Sequence, residues 1–288
     1  MERAKLKINK PLAILLILAF IRGSIYAFFL PPWALTDEEQ HVDYIQSIVE
    51  KGKIPVVGVD YISDEIMQSV LDTKRHERFM WATPPIADQS TWGLEGHSYE
   101  GYQPPLFYML SAPVYWLMPG DILNKLLALR IWMVFLSLIT VWALYRVVAL
   151  LVKKPSHLPF IAASILIFIP ERTISVSRVS NDVLLEVLAA IFILAFIHII
   201  NHGLSNRNLL GLSIIFSLGL LTKISFIGMG IFFLFLAGWY VRKENLARFM
   251  ILASLPIVIL VLPWIIRNYS LYNDITGFQG FASIAQTE

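Results

Sequence analysis

The chain contains no cysteine. This absence excludes disulfide bonds, thiolate metal sites and a cysteine nucleophile. Charge is scarce as well, because Asp, Glu, Lys and Arg together make up 15% of the residues, against roughly 25% in soluble globular domains. The sequence also shows no internal repeat, no low-complexity tract and no glycine-rich phosphate loop. Thiol-dependent enzymes and P-loop nucleotide-binding proteins are therefore excluded.

Apolar residues are abundant and make up 57% of the 288 residues. Several apolar runs approach the length of about 20 residues that a membrane helix needs. The composition therefore predicts an all-α polytopic membrane protein, with the first run kept as an uncleaved anchor. About seven spans are predicted, at residues 11–30, 127–152, 156–170, 183–200, 209–222, 224–240 and 249–266.

The distribution of Lys and Arg sets the orientation. A cytoplasmic N-terminus places most of the basic residues of the short connections inside, as the positive-inside rule requires. Leu106 to Met118 is apolar but too short to cross, so we expect a helix that lies in the membrane interface. Residues 209–240 are expected to form a hairpin that turns at Lys223, because a single long helix would move Arg242 and Lys243 outside.

Three regions follow from these spans. Residues 1–30 form the cytoplasmic N-terminus and the first transmembrane helix, and residues 31–126 form a large extracytoplasmic loop with juxtamembrane helices. Residues 127–288 form the six-helix remainder of the transmembrane module.

Two helices are predicted inside the large loop. Apolar residues from Val42 to Val49 recur at helical spacing and predict an amphipathic helix over 38–51 on the membrane surface. Ser63 has the character of an N-cap, and acidic residues follow it in the first turn. A second helix is therefore predicted around 63–78.

Polar residues from distant parts of the chain share one depth in this topology, at the extracytoplasmic ends of the spans. Carboxylates are costly at a membrane boundary and are therefore candidates for function. Such a placement suits an enzyme that acts on a lipid-carried substrate. The set comprises Asp37, Glu38, His41, Arg172, Arg178, Asn181, Asp182, Lys223, Arg267 and Asn268.

The acidic residues after the first span allow more than one interpretation. Asp37 and His41 lie four apart and share a helix face. Asp37 can act as a general base toward an acceptor hydroxyl, or it can hold a divalent metal with His41. The alternative is a solvated helix N-terminus, where acidic residues favour the helix dipole.

The basic residues at the span ends are similarly ambiguous. Arg178, Lys223 and Arg267 suit a phosphate head group. Each of them taken singly is also explained by snorkelling to the interface. Asn181 and Asp182, at the start of the fourth span, are compatible with an N-cap as well as with substrate binding.

Five segments, taken in order, are similar to motifs of the GT-C superfamily of membrane glycosyltransferases, which includes protein O-mannosyltransferases and lipid A aminoarabinose transferase. The ordered set covers nearly the whole chain. Asp37-Glu38-Glu39 departs from the spaced Asp-x-Asp of oligosaccharyltransferase-type members, which argues against an obligatory metal. The segments are Thr36-Asp37-Glu38 with His41, Tyr102-Gln103-Pro104-Pro105, Arg178 to Asp182, Leu221-Thr222-Lys223 and Pro263-Trp264-Ile265-Ile266-Arg267-Asn268.

This resemblance implies a function as well as a fold. It implies an inverting transfer of a sugar from a polyprenyl-phosphate donor to a protein or glycolipid acceptor on the extracytoplasmic face. Asp37 is then the general base, and Glu38 orients Asp37 or a neighbouring group. The donor phosphate is bound by Arg178, Lys223 and Arg267, and the substrate by His41, Gln103, Asn181 and Asp182.

Two other classes of function remain open at the level of the sequence. The same polar residues can line a transport path, although the chain shows no inverted repeat and transport does not need the large loop. A non-catalytic scaffold that binds lipid or a partner is the other alternative. No cofactor is predicted beyond a possible divalent metal, and nucleic acid is not among the predicted partners.

Overall fold

The computed structural model describes residues 9–34, 36–73, 96–152, 156–242 and 245–285. In these ranges the chain is helical, and β-type pairing is confined to an isolated bridge between Tyr61 and His97. The predicted all-α class is confirmed.

The α-helices are α1 (Lys10–Phe29), α2 (Glu38–Lys51), α3 (Asp64–Asp72), α4 (Leu106–Leu117), α5 (Ile122–Leu151), α6 (Leu158–Phe168), α7 (Pro170–Ser175), α8 (Asn181–His202), α9 (Asn206–Leu220), α10 (Ile231–Tyr240), α11 (Leu246–Leu260), α12 (Leu262–Tyr272) and α13 (Phe278–Ala285). Two 3₁₀ helices cover Tyr99–Tyr102 and Ile224–Gly230.

Among the described residues, three helices are long and apolar enough to cross a membrane unaided, namely α1, α5 and α8. Helices α11 and α12 add a fourth candidate, but they are bent by 49° at the break between them. Pro263 stands in the first turn of α12, where it has no amide hydrogen to continue the helix. The predicted span over 249–266 therefore corresponds to a pair of helices with a break at Val261, and the crossing itself stays a prediction. The other predicted spans correspond to shorter segments, namely α6, α9 and Ile224–Tyr240.

Helix α5 organises the bundle. It packs against α1, α6 and α8, and α9 packs in turn against α8 and α11. Fully buried side chains such as Leu129, Met133 and Phe192 fill the centre. Large apolar side chains on the outer faces of the helices are exposed, as expected for helices that face lipid.

Helix α2 occupies the predicted range but not the predicted surface position. Every residue from 38 to 47 is buried, because α4, the 3₁₀ helix Tyr99–Tyr102 and α3 pack against α2. The expectation of a surface helix with a solvated N-terminus is therefore wrong for Glu38 and His41. Helix α3 begins with the predicted cap, since Ser63 Oγ accepts a hydrogen bond from Ile66 N. It ends at Asp72, and residues 74–78 of the predicted helix lie outside the described residues.

The chain reverses direction at Lys223. Helix α9 ends at Leu220, and the Phe226 ring packs directly over Gly219, where an added Cβ would lie 2.2 Å from a ring atom. Farther from the turn, the rings of Phe216 and Phe233 contact each other at 5.3 Å. The two arms therefore run side by side, as the predicted hairpin requires.

Candidate functional site

Asp37 stands at the start of α2 in an uncommon backbone conformation. Its φ of 63° lies in the left-handed region, and its side chain does not cap the helix. Asp tolerates this region better than most residues, and such conformations are enriched at functional sites. The side chain is half-buried, and the Tyr99 hydroxyl donates a short hydrogen bond to Asp37 Oδ1. The carboxylate is therefore positioned at the edge of the protein rather than inside it.

Glu38, the next residue, is fully buried and paired with Arg130 of α5. Arg130 Nε donates to Glu38 Oε1 at 2.9 Å, and Nη2 donates to Oε2 at 2.5 Å. The remaining guanidinium hydrogens go to the carbonyl oxygens of Ala27, Leu30 and Pro31 at the end of α1. This carboxylate is thus occupied by a two-pronged ion pair and is not available to a substrate.

Glu38 also fixes the loop before α8. The Val179 amide donates to Glu38 Oε1 at 3.1 Å. Asp37 precedes Glu38, and Arg178 precedes Val179, so this bond brings the candidate base and a candidate phosphate-binding cation into one neighbourhood. The first outer loop and the start of α8 therefore meet in space.

Arg178 and Lys223 provide the cationic side of this neighbourhood. Lys223 Nζ lies 2.7 Å from Asp182 Oδ1, and both side chains are partly exposed. Arg178 Nε is buried, and within the described ranges no hydrogen-bond partner reaches it. A buried guanidinium nitrogen without a partner is costly, so Arg178 has a hydrogen-bond donor available for a ligand.

The start of α8 differs by one residue from the sequence-based N-cap. Ser180 is the N-cap, and its Oγ accepts a hydrogen bond from the Asp182 amide. This assignment leaves the Asn181 side chain to contact Gln103 Oε1, at 3.4 Å. Asn181 and Gln103 are both buried and contact each other inside the protein, whereas Asp182 is partly exposed.

Arg267 and Asn268 fasten the outer loop to α12. Arg267 donates to the carbonyl oxygens of Pro55 at 2.9 Å and Gly101 at 3.4 Å, and its guanidinium lies 4.6 Å from the Trp264 ring centre. Asn268 Nδ2 donates to the carbonyl oxygen of Tyr102 at 3.4 Å. These contacts indicate a positioning role for Arg267, whose phosphate-binding role stays a prediction.

A second carboxyl group lies beneath Asp37. Glu100 is 7% exposed and follows Tyr99 in the 3₁₀ helix. Its Oε2 is 3.3 Å from the Tyr108 hydroxyl, which is also 3.0 Å from His41 Nδ1. His41 is thereby held inside the protein, away from the position expected for direct contact with substrate.

Burial controls the ionisation of this inner group. Burial, together with the charge of Asp37, raises the pKa of Glu100 to about 8, although Lys223 opposes the shift. Burial likewise lowers the pKa of His41 to about 3, with Asp182 acting in the opposite sense and Lys223 and Arg178 adding to the effect. At neutral pH, both His41 and Glu100 are therefore mostly uncharged.

The possible metal site at Asp37 and His41 does not fit the geometry. Asp37 accepts a hydrogen bond from Tyr99, and His41 Nδ1 is engaged by Tyr108. The described part of the chain contains no group of three or more His, Asp or Glu side chains arranged to hold a metal ion. The donor set therefore suits proton transfer and anion binding better than metal coordination.

An apolar groove borders the polar site. It runs from Gln103 past Leu220 and Ile224 to Trp264 and Ile265. Gln103 also contacts Asn181 of the polar cluster, so the groove and the cluster adjoin. The groove is small, with a free volume of about 20 Å³.

Sequence reasoning missed three neighbours of the candidate site residues, namely Arg130, Glu100 and Tyr99. Arg130 interrupts a predicted span, and an intramembrane charge is itself a signal for a buried partner. Glu100 and Tyr99 lie in the outer loop without any informative spacing, so their roles emerge only from contacts with Tyr108 and Asp37. The structure brings Asp37, Arg178, Asp182 and Lys223 into one neighbourhood and places Glu38, His41, Gln103, Asn181 and Arg267 in supporting contacts around them.

Comparisons with known proteins return nothing: no family model, no curated protein and no solved structure matches this chain.

Proposed function

We propose that this protein is an inverting glycosyltransferase that moves a sugar from a polyprenyl-phosphate donor to an acceptor on the extracytoplasmic face of a membrane. The proposal is carried by one observation. A half-buried Asp37 lies in the same neighbourhood as Arg178, whose buried Nε lacks a hydrogen-bond partner in the described residues. A base and an anion site beside the ends of apolar helices suit the transfer of a group from a lipid phosphate.

The reaction needs one base and one group of cations. Asp37 takes the proton of the acceptor hydroxyl as its oxygen attacks the anomeric carbon of the sugar. The bond between that carbon and the phosphate oxygen breaks, and the electron pair leaves with the lipid phosphate. Arg178 and Lys223 stabilise the negative charge that develops on the phosphate. Attack opposite the leaving group inverts the anomeric carbon.

The surroundings of Asp37 support this assignment over a role for Glu38. The Tyr99 hydroxyl donates to one carboxylate oxygen of Asp37 and orients it. Glu38 holds the loop of Asp37 through Arg130 and Val179. We therefore assign Glu38 a positioning role, within the predicted function of orienting its neighbour.

The apolar groove supports a lipid-linked donor. Leu220, Ile224, Val261 and Trp264 are among the residues that line it, and they offer an apolar contact to the start of a polyprenyl chain. The free volume is about 20 Å³, so the groove must widen to hold an isoprene unit. The groove begins beside Gln103, so a phosphate near Arg178 and Lys223 can be joined to a chain that leaves toward lipid.

The topology of the proposal has seven spans and a cytoplasmic N-terminus. Helices α1, α5 and α8 and the broken pair α11–α12 supply four crossings. The reversal at Lys223 supports two shorter crossings on its two sides. The seventh is α6, continued by α7 beyond Pro170.

The test is sugar transfer or release from a panel of polyprenyl-phosphate sugars by purified protein. We expect turnover by the wild type and a loss of about 10²- to 10⁴-fold in Asp37→Asn, with binding of polyprenyl phosphate retained. Asp72→Asn is the matched control, because Asp72 lies at the exposed end of α3 and accepts a bond only from Gln68 among the described residues.

Three outcomes contradict the proposal. Turnover that persists in Asp37→Asn removes Asp37 as the base. A protein that binds polyprenyl phosphate but transfers no sugar is a lipid-binding scaffold, and one that binds none is better explained as a transporter.

A further inference from the structure

We propose that Glu100, Tyr108 and His41 form a proton-sharing unit that keeps Glu100 uncharged beneath Asp37, so that the site presents one anionic base and remains receptive to a phosphate. Glu100 is in this view a positioning residue that acts through charge and does not touch the substrate. The unit exists independently of any reaction, but its effect on phosphate rests on the proposed function.

The geometry joins three elements of the fold at one hydroxyl group. The Tyr108 oxygen of α4 lies 3.0 Å from His41 Nδ1 of α2 and 3.3 Å from Glu100 Oε2 of the 3₁₀ helix. His41 Nδ1 and Glu100 Oε2 are themselves 3.9 Å apart. The three side chains therefore form a closed triangle with little room for water.

Packing holds this triangle rigid. Tyr44 stacks on the Tyr108 ring at 3.6 Å between centres, and its own hydroxyl donates to the Gln103 carbonyl oxygen. Phe107 contacts the rings of both His41 and Tyr108 edge to face. Because Tyr108 is fully buried, its hydroxyl must find its partners inside the triangle.

Burial without a cation favours the protonated form of Glu100. Its carboxyl group contacts the Tyr108 hydroxyl and lies near His41 Nδ1, and in the described part of the chain no Lys or Arg forms an ion pair with it. Hydrogen bonds are satisfied in both states: a protonated Glu100 donates to Tyr108, which donates to His41 Nδ1, whereas with an ionised Glu100 the Nδ1–H of His41 donates to Tyr108 and Tyr108 donates to Glu100. A buried charge without a cationic partner is costly, so ionisation is opposed.

Charged groups on every neighbouring element act on Glu100. Asp37 of α2 and Asp182 of α8 oppose a negative charge there, whereas Lys223 favours it. Tyr108 of α4 and His41 of α2 contact it directly, and Tyr99 and Tyr102 belong to its own 3₁₀ helix. Lys223 forms an ion pair with Asp182 at 2.7 Å. The negative charge of Asp182 offsets part of the electrostatic stabilisation that Lys223 would give to an ionised Glu100.

The consequence concerns anion binding. An ionised Glu100 adds a second negative charge next to Asp37 and disfavours a phosphate at Arg178 and Lys223. We expect the affinity for polyprenyl phosphate to fall about tenfold between roughly pH 7 and pH 9, a range in which the charge of the phosphate itself changes little.

Infrared difference spectroscopy of the full chain tests the protonation directly. The wild type at neutral pH should show the carbonyl stretch of a buried protonated carboxylic acid, and Glu100→Gln should lose it. Glu50→Gln is the matched control, because Glu50 also accepts a phenolic hydrogen bond, from Tyr115 at 2.9 Å, but is largely exposed. A band that is absent from the wild type, or that survives in Glu100→Gln, overturns the proposal.

Binding of sugar-free polyprenyl phosphate tests the consequence. We expect the wild-type affinity to fall with pH, the Glu100→Gln affinity to stay level, and Tyr108→Phe to shift the midpoint. Tyr44→Phe should behave as the wild type, since Tyr44 is an equally buried phenol that bonds outside the triangle. A pH dependence that persists in Glu100→Gln contradicts the role of Glu100.

The two measurements also separate this inference from the proposed function. A carboxylic acid band that Glu100→Gln removes supports the proton-sharing unit even if no polyprenyl phosphate binds, and the failure then belongs to the proposed function. Binding without such a band leaves the proposed function standing and removes the unit.

Discussion

Asp37 and Glu38 are adjacent carboxylates with opposite surroundings. Glu38 is fully buried, and both of its oxygens accept hydrogen bonds from Arg130, with a further one from Val179. Asp37 is half-buried, is held by Tyr99 and has a left-handed backbone. One peptide bond therefore separates a carboxylate committed to structure from one that can still react.

The same division runs through the cations. Arg130 has every guanidinium nitrogen engaged, and Arg267 is bound to carbonyl oxygens of the outer loop. Arg178 has a buried Nε that no described residue satisfies. Arg172 shares this feature in part, because its Nη2 is also buried without a partner in the described residues although its Nε is paired with Glu186. Incomplete hydrogen bonds therefore narrow the candidates for anion binding further than residue type or depth does, but they do not by themselves assign a function.

The largest expected effect on stability comes from breaking the buried ion pair between Glu38 and Arg130. Glu38→Ala or Arg130→Ala leaves a buried charge without its partner, so each should lower the free energy of unfolding by about 3–5 kcal/mol. Asp37→Asn should change it by less than about 1 kcal/mol, because Asn also tolerates a positive φ. Denaturation of the purified variants in one detergent measures the difference.

A double substitution sharpens this prediction. Glu38→Gln combined with Arg130→Met removes both charges together, so it should be less destabilising than the sum of the two single changes. Additive losses would mean that the two side chains do not form a coupled pair.

Arg178 tests the incompletely bonded cations. Arg178→Gln should weaken binding of polyprenyl phosphate by about 10- to 100-fold, since charge-assisted bonds to phosphate are strong. Arg22→Gln is the control, because Arg22 is also partly buried and its Nε already donates to Thr173 Oγ1 at 3.0 Å. Titration calorimetry or thermal-shift titration provides the dissociation constants. Equal losses in the two variants would indicate nonspecific attraction.

The inner carboxyl group gives a prediction on pH and stability. The folded-state pKa of Glu100 is raised from 4.5 to about 8, so its contribution to stability is complete below the unfolded value and is lost as the pH rises toward 8. Each pKa unit corresponds to about 1.4 kcal/mol, so the loss is on the order of a few kcal/mol. Glu100→Gln should flatten the fall in melting temperature between about pH 5 and pH 8.

The slope of the melting temperature against pH, between about pH 5 and pH 8, tests this prediction. A wild type whose melting temperature does not fall over this interval, or a Glu100→Gln variant with an undiminished fall, contradicts a protonated Glu100 in the folded state.

The smallest effect is expected at the cap of α8. Ser180→Ala removes the hydrogen bond to the Asp182 amide and should cost about 1 kcal/mol of stability. The affinity for polyprenyl phosphate should change by no more than about twofold, because Ser180 is structural although it lies two residues from Arg178. Ser180→Asn, which can still cap, should restore the stability. A large loss of affinity would mean that Ser180 also takes part in binding the phosphate.

Local sequence signals predicted local structure well. Ser63 was recognisable as a cap, the short apolar run from Leu106 indicated α4, and Lys223 marked a turn. Each of these features depends on a short stretch of sequence, for which capping preference, the length of an apolar run or the charge rule is decisive.

The partners in the site could not be predicted in the same way. The contact between Glu38 and Arg130 joins residues 92 positions apart, and the Val179 amide is 141 positions from Glu38. The burial of His41 depends on Phe107 and Tyr108 from another helix. The charge rule and the span lengths placed Glu38 and His41 at one depth, but they carry no information on which residues these side chains touch.

Both proposals depend on the claim that outer segments distant in sequence meet, and the absence of cysteine makes this claim directly testable. The Leu106 amide donates to the Leu221 carbonyl oxygen at 3.0 Å, where α4 begins beside the turn at Lys223. The decisive measurement is oxidative cross-linking of Leu106→Cys with Leu221→Cys in membranes. We predict efficient disulfide formation, whereas Leu106→Cys with Leu209→Cys, at the far end of α9, should remain reduced. Failure of the first pair to cross-link, or equal reaction of both pairs, would contradict the convergence of these segments.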